Sequence, residues 1–199
     1  MKRFLSLKSR GAILIASTAM FMVQLDASVL AVAIPQISTD FGLPAIELSL
    51  AITIYLTMQI ALLPISGWAA ERFGPKTVFM IATAGLTFFS ICCAAAPSFW
   101  PFIAARALQG ATASLMTPVA RLLLLRQTSK EELVDAMAIV AMPMLIAPTL
   151  GPSIGGFIVQ YARWEFIFLL NIPVTIALLL AAWRTIPASP PDASRRLDM

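Results

Sequence analysis

Two residues of opposite charge, Asp26 and Arg106, lie inside stretches of sequence that are otherwise apolar enough for lipid. A charged side chain at the centre of a bilayer costs about 2.5–3.5 kcal/mol on insertion scales, so each must face protein or water, and each is a functional candidate. At a rise of ~1.5 Å per residue, Asp26 lies about 12 Å and Arg106 about 9 Å from the same end of their predicted helices. The similar depths predict that the two side chains pair, directly or through water.

This predicted pair has two interpretations. In the first it is static, and each charge only offsets the cost of burying the other. In the second Asp26 is a proton carrier, which takes up a proton when Arg106 withdraws or the site dries and releases it when Arg106 or water returns. A two-state change of this kind is what coupling proton flow to a conformational change requires. The chain has no histidine, so a proton-handling site must use carboxylates.

Composition predicts a membrane protein. Of the 199 residues, 59% are hydrophobic and 12% are charged, and the mean hydropathy is +0.87. A soluble domain has about 25% charged residues. We therefore expect an all-α integral membrane protein that contacts the lipid bilayer. We attribute the net charge of +4 to basic loops, which set the orientation of the protein in the membrane. No nucleic-acid partner is expected.

Six apolar runs predict a bundle of six transmembrane helices over residues 11–184. Residues 1–10 are then a cytoplasmic N-terminus, and residues 185–199 a cytoplasmic tail or the start of a linker. Of the 14 basic residues, all fall on the cytoplasmic side of this topology except Arg106 in the membrane and Arg163 outside, as the positive-inside rule requires. The approximate spans are 11–34, 48–65, 77–96, 99–125, 133–159 and 166–183.

The N-terminus has an alternative interpretation as a cleaved signal peptide, because basic residues precede an apolar stretch and residues 31–33 resemble a cleavage site. Asp26 interrupts the apolar region that such a peptide needs, and the later spans require a first one. The two cysteines, Cys92 and Cys93, are adjacent within an apolar run, which suits neither a disulfide framework nor a metal site. We expect them to fill space in the core, and we expect no metal site.

A charged segment follows the second run and begins at Gly67. It places an acid, two bases and two glycines within ten residues, which predicts a short turn. The segment is either an ordinary positive-inside loop or a conformational latch, in which Glu71 meets a helix N-terminus or a basic partner and releases it as the bundle moves. The latch residues are Gly67, Glu71, Arg72, Gly74 and Lys76.

The fifth run is dense in proline and glycine, including Pro148, Gly151, Pro152, Gly155 and Gly156. Gly151 and Gly155 form a G-x-x-x-G pattern, which lets two membrane helices approach closely and also occurs in proteins without transport activity. Simple packing is one interpretation. Together with the prolines, the pattern also fits a bent helix that serves as a hinge or leak seal.

Five stretches in this order resemble the major facilitator superfamily, specifically its drug:proton antiporters with fourteen spans, the EmrB/QacA-like group. Residues 25–35 resemble the motif of span one, 67–76 the loop motif G-x-L-a-D-R-x-G-R-[RK], and 147–156 the antiporter motif of span five. Arg106, Gln109 and Gly110 match R-x-x-Q-G of span four, and residues 163–166 with 171–173 resemble the start of span six. Glu71 stands where the family usually has Asp, and Pro75 where it has a base.

The resemblance implies a fold and a function. The fold would be the N-terminal half of a major facilitator protein, six helices in two inverted three-helix repeats. Asp26 and Arg106 would couple protons, and the fifth span would act as the hinge. The function would be proton-driven efflux of small amphipathic, often cationic compounds across the inner membrane, with the proton gradient and no cofactor as the driving force.

The length of the chain leaves two further alternatives. Family members have two six-span halves, so we expect either an N-terminal fragment or a half that dimerises, completed by the missing C-terminal half or by a second copy. A non-transporting remnant, or a regulator that binds a full-length transporter, is the alternative function. An enzyme is not expected, because the sequence shows no nucleophile, base and orienter constellation and no phosphate-binding loop.

Overall fold

The structure, a computed structural model, describes residues 7–187, with side chains from residue 10 onward. The predicted cytoplasmic N-terminus and tail fall largely outside these residues. The described part is all-helical, as the sequence predicts, and contains no strand. Its helices are α1 (Leu7–Phe41), α2 (Ala45–Ala61), α3 (Leu63–Phe73), α4 (Pro75–Ala94), α5 (Phe99–Gln127), α6 (Leu133–Tyr161), α7 (Glu165–Leu169) and α8 (Asn171–Thr185).

The helices account for up to six membrane spans within the described residues. Five of them, counting α7 and α8 together, are long and apolar enough to cross a membrane. The sixth is the pair α2 and α3, which meet at Leu62 with a bend of 50°. Pro64 follows this bend, in the first turn of α3, where the missing N–H of a proline costs no helical hydrogen bond.

Helix α1 extends beyond the first predicted span and passes through Pro35 without ending. The interval between the first two predicted spans, residues 35–47, is therefore mostly helical and contains only a short turn, in which Gly42 has a φ of 65°. Glycine adopts this left-handed conformation at no steric cost. A proline removes only one hydrogen bond from a helix, and neighbouring helices compensate for that loss in a bundle.

The charged segment that begins at Gly67 also differs from the predicted turn. Helix α3 continues through Phe73, and α4 begins at Pro75, so only Gly74 lies between them. Gly74 has a φ of 84°, which favours glycine. The segment is helical on both sides of this residue because Ala, Glu and Arg are good helix formers.

Helix α1 lies at the centre of the bundle, where it packs against α6 on one side and α5 on another. Helix α5 also packs on α2 and α4, and α4 packs on α8. Buried apolar side chains form two clusters, one towards each end of the bundle. The buried polar residues that are described next lie between these clusters, at the depth where α1, α4, α5 and α8 meet.

Candidate functional site

The side chains of Asp26 and Arg106 are in direct contact. Nη1 of Arg106 donates a hydrogen bond to Oδ2 of Asp26 at 2.8 Å, and both side chains are buried. The contact joins α1 to α5 near mid-bundle. Each charge alone would cost several kcal/mol in this low-dielectric setting, and the pairing offsets part of that cost.

The other oxygen of Asp26 is held by neutral amides. Oδ1 accepts hydrogen bonds from Nδ2 of Asn171 at 2.7 Å and from Nε2 of Gln109 at 3.1 Å. The same two nitrogens also donate to Oγ of Ser90, at 3.2 and 2.8 Å respectively. Asp26 thus accepts N–H groups from three side chains, and the network ties α1 to α4, α5 and α8.

The guanidinium of Arg106 is held on its other sides by helix α2 and by its own helix. Nε donates to the carbonyl oxygen of Ala51 at 3.4 Å, and Nη1 donates to Oε1 of Gln109 at 2.5 Å. The ring centroid of Tyr55 lies 4.2 Å from Cζ of Arg106, a cation–π contact. Among the described residues Nη2 has no hydrogen-bond partner, so the guanidinium keeps the capacity to bind a further acceptor.

Four aromatic rings cover this network on the side of the bundle where α1 ends. Phe41, Phe102, Trp164 and Phe168, here called the aromatic cap, pack edge to face with ring centroids 5.7–6.1 Å apart. The ring of Phe168 lies 5.7 Å from Cζ of Arg106. The aromatic cap therefore separates the charged pair from that end of the bundle.

The rim of the aromatic cap carries exposed charges. Nε1 of Trp164 donates to Oδ2 of Asp40 at 2.8 Å, and Nη2 of Arg163 lies 2.6 Å from Oε1 of Glu165 and 3.8 Å from Oδ2 of Asp40. The hydrogen bond to Glu165 raises the pKa of Arg163 above its usual value. The side chain of Arg163 is 72% exposed, so solvent screens this ion pair and we expect it to contribute little to stability.

Truncating the aromatic cap should open a path to the network, and Cys93 can report it. Its Sγ lies 3.6 Å from Oε1 of Gln109, and with Cys92→Ser it is the only thiol of a chain that has two cysteines. We expect Phe102→Ala to speed modification of Cys93 by a water-soluble thiol reagent at least about 10-fold. Truncating a buried Phe leaves a cavity and lowers the free energy of unfolding by ~3–5 kcal/mol, so the packing that keeps the reagent out is weakened. Phe88→Ala, at an exposed ring of α4, is the control. Equal rates in the two variants would contradict a sealing role.

The glycines of the predicted hinge lie where α6 touches α1. A Cβ at Gly151 would overlap the side chain of Ser28, and a Cβ at Gly155 would lie 2.8 Å from the carbonyl oxygen of Val29. Pro148 and Pro152 are exposed, and α6 continues through both. Close packing therefore accounts for Gly151 and Gly155, and a hinge role for α6 stays a prediction.

Two adjacent glycines of α6 give a matched test of this packing. Gly155→Ala should lower the free energy of unfolding by about 1–3 kcal/mol, because the added methyl group forces α1 and α6 apart. Gly156→Ala should be neutral or slightly stabilising, since its Cβ would meet only Cγ1 of Val32 at 4.0 Å. Denaturant unfolding in detergent measures both, and equal effects would contradict the close approach.

Gly110 of the span-four motif is also a packing residue. A Cβ at this position would overlap the carbonyl oxygen of Tyr55, so α5 can lie this close to α2 only with glycine there. That approach holds Tyr55 against Arg106. Gln109 and Gly110 therefore have different roles: Gln109 binds the charged pair directly, and Gly110 sets the distance between the helices that carry it.

The predicted latch residues have different surroundings in the structure. The guanidinium of Arg72 lies 5.5 and 5.9 Å from the rings of Trp68 and Phe73, and Nζ of Lys76 donates to the carbonyl oxygen of Trp183 at 2.8 Å. A Cβ at Gly67 would meet nothing within 4 Å. Gly67 and Glu71 line a groove of about 650 Å³ between α3 and α5. The latch role stays a prediction.

Sequence reasoning gave no role beside Asp26 to Ser90, Asn171 or the four rings of the aromatic cap, although Trp164 and Asn171 lie in the two stretches that resemble the start of span six. Asn171 carried the clearest available signal. It is the only asparagine in the chain and lies within the sixth predicted span, residues 166–183, where a side-chain amide needs a partner inside the membrane. Ser90 and the rings have no such signal, because hydroxyl and aromatic residues are common in membrane helices.

The chain is similar to known membrane transport proteins. The model of the Major Facilitator Superfamily matches residues 16–198. HsrA of Haemophilus influenzae, named as a probable transport protein, is 41% identical over 87% of this chain and 37% of its own length. MdtD of Yersinia pestis, provisionally named as a multidrug resistance protein, is 36% identical over 90% of this chain and 38% of its own length.

A solved structure has the same fold as the described helices. The proton:xylose symporter XylE, bound to 6-bromo-6-deoxy-D-glucose, matches with a TM-score of 0.81 at 15% identity, over 94% of this chain and 46% of the symporter. At this identity the likeness concerns the fold alone. The chain thus spans less than half the length of the relatives and of the structure that it matches.

Proposed function

The chain belongs to the Major Facilitator Superfamily, and from this premise we propose that it contributes to proton-driven export of small amphipathic compounds, many of them cationic. The buried pair of Asp26 and Arg106 carries the proposal, because a charge that can be neutralised at the junction of several helices can drive a conformational change. The names of HsrA and MdtD support a transport function and, for MdtD, a multidrug substrate range.

The proposed coupling is a change in the charge of Asp26. While Asp26 is ionised, its attraction to Arg106 holds α1 against α5. A proton on the carboxyl group removes that attraction and frees the guanidinium for another acceptor. Because the carboxyl group also binds side chains of α5 and α8, its charge biases the arrangement of the whole network. The proton gradient supplies the energy, and no cofactor is required.

The proposed substrate class rests on the groove between α3 and α5. Apolar side chains such as Met20 and Met144 line most of it, and Glu71 and Arg121 supply charge. An apolar groove with a few charged groups suits a molecule that is itself amphipathic, and methionine side chains adapt to ligands of different shape.

The complete transport path needs more helices than the described ones, and we assign them to a C-terminal half or to a second copy of the chain. The lengths of the relatives, of which this chain matches 37% and 38%, favour the C-terminal half. In this proposal the protein resides in the inner membrane with the basic loops, including Arg72 and Lys76, in the cytoplasm.

Gradient-driven transport in proteoliposomes tests the proposal. The chain, alone and as the product of its complete reading frame, is reconstituted, and uptake of a fluorescent amphipathic cation is followed under an imposed pH gradient. We expect accumulation that depends on the gradient and collapses when a proton ionophore is added. Uptake that does not depend on the pH gradient would overturn the proton coupling. If neither preparation takes up the dye, a non-transporting regulator would be favoured.

A further inference from the structure

The two oxygens of Asp26 have different surroundings. Oδ2 binds the charged guanidinium of Arg106 at 2.8 Å. Oδ1 binds two neutral amide groups, of Asn171 at 2.7 Å and of Gln109 at 3.1 Å. A carboxylate oxygen has two lone pairs, so the two amides occupy both of those on Oδ1.

The orientation of both amide groups follows from their partners. Oε1 of Gln109 accepts a hydrogen bond from Nη1 of Arg106, which turns Nε2 of Gln109 towards Asp26. Asn171 must also present its nitrogen, because an amide oxygen against a carboxylate would bring two acceptors together. Both nitrogens then meet Oγ of Ser90 as a shared acceptor. An amide N–H only donates, so a proton on Oδ1 would face two donors.

We propose that Asn171, together with Gln109 and Ser90, forms a neutral cradle that holds Oδ1 and directs the incoming proton to Oδ2, the same oxygen that Arg106 binds. The proton adds to a lone pair of Oδ2 as the hydrogen bond from Nη1 breaks; the carboxyl group becomes neutral, and Arg106 keeps its charge. Proton and guanidinium therefore compete for the same oxygen, because protonation removes the negative charge that attracts Arg106. This inference rests on the proposed proton coupling.

Asn171 is the amide donor of the cradle that does not lie on the same helix as Arg106. Arg106 and Gln109 lie on the same helix, so a displacement of α5 that withdraws the guanidinium also disturbs Gln109. Asn171 begins α8, directly after the break at Leu170, and its amide is fixed to Ser90 of α4. Asn171 is thus a positioning residue, which keeps Oδ1 occupied in both states of the pair.

The charged and titratable groups around Asp26 do not offer a competing site for the proton. Among the described residues, α5 contributes Arg106, α2 contributes Tyr55 and α4 contributes Cys93. Helix α8 contributes only the amide of Asn171 and the hydroxyl of Thr175. Of these groups Asp26 alone is a carboxyl group, and Oδ2 is its oxygen without an amide donor.

Infrared spectroscopy of the purified chain in lipid tests the cradle. Acidification should produce a carboxylic C=O band that Asp26→Asn lacks. Two N–H donors to the carbonyl oxygen weaken its double bond, so the band should lie at low wavenumber. Asn171→Leu has a similar volume but no donor and should move the band to higher wavenumber, whereas Asn171→Gln, which restores an N–H, should recover part of the shift.

Thr87→Val is the matched control. Thr87 binds Oγ1 of Thr175 at 2.7 Å in the same contact of α4 and α8 but does not touch Asp26, so its loss should leave the band in place. If Asn171→Leu does not fold, Ser90→Ala removes the anchor of both amides and should shift the band in the same direction. An Asp26 band that neither variant moves would overturn the cradle and leave proton uptake intact. No Asp26 band at any pH would overturn the proton coupling as well.

Discussion

Asp26→Asn should reduce gradient-driven transport by about 100-fold or more, while the protein still inserts into the membrane and keeps its helices. Asparagine has the shape of aspartate and can still bind Arg106 through its oxygen, but it cannot exchange a proton. Without a bound proton, a protein with two conformations populates the minor one at only about 0.1–10%. Transport by the variant would therefore continue only at a low residual rate. Dye uptake in proteoliposomes under an imposed pH gradient measures the loss, and circular dichroism checks the helices.

Asp40→Asn is the matched control for this variant. Asp40 lies on the same helix but at the rim of the bundle, where it accepts a hydrogen bond from Trp164, and an asparagine oxygen can accept the same bond. We expect Asp40→Asn to transport nearly as well as the unchanged chain. Gradient-driven uptake by Asp26→Asn at the unchanged rate would show that Asp26 carries no proton.

A double-mutant cycle of Asp26→Asn and Arg106→Gln should show the interaction of the buried pair in the free energy of unfolding. Removing one partner leaves the other as an uncompensated buried charge, which costs ~3–5 kcal/mol, whereas replacing both with neutral groups is often nearly neutral. We therefore expect each single variant to unfold at lower denaturant concentration and the double variant to recover most of the loss.

The exposed pair of Arg163 and Glu165 gives the comparison for this cycle. Its side chains approach to 2.6 Å, closer than the buried pair, but solvent screens them, so neutralising either one should change the unfolding free energy little. Additive losses at Asp26 and Arg106, with no recovery in the double variant, would contradict a direct interaction of the two charges. Unfolding in detergent, followed by tryptophan fluorescence, measures all the variants.

The sequence could predict the charged contact because the rules behind it are local. The high cost of a charge in lipid singles out Asp26 and Arg106, and the rise of a helix converts sequence position into depth. The fold class followed from the apolar runs for the same reason. Neither step needs the rotation of one helix relative to another.

The neutral part of the network depends on that rotation, so hydropathy could not predict it. An amide such as that of Asn171 is much less costly in a membrane than a charge, and whether it faces Asp26 depends on how α8 is turned about its axis. The same holds for Phe102 and Phe168, since a phenylalanine suits lipid and protein equally well. Ser90 becomes identifiable only when α4 and α8 are seen together.

Helix bounds differed from the predicted loops where residues that break helices in water are tolerated in a bundle. Pro35 predicts an end to α1, but the helix continues to Phe41 because neighbouring helices compensate for one missing hydrogen bond. Conversely, Gly42 and Gly74 do mark turns, since both adopt a positive φ. Gly42 and Gly74 thus mark helix boundaries here, whereas Pro35 does not.

Proton release on substrate binding tests the central claim most directly. If a proton on Asp26 and a cationic substrate are bound in alternation, adding an amphipathic cation to the complete gene product in weakly buffered solution should release about one proton per cation bound, by linkage of the two equilibria. A pH-indicator dye measures the release. The account predicts this release for the unchanged protein and none for Asp26→Asn; equal release by both, with equal binding, would contradict it.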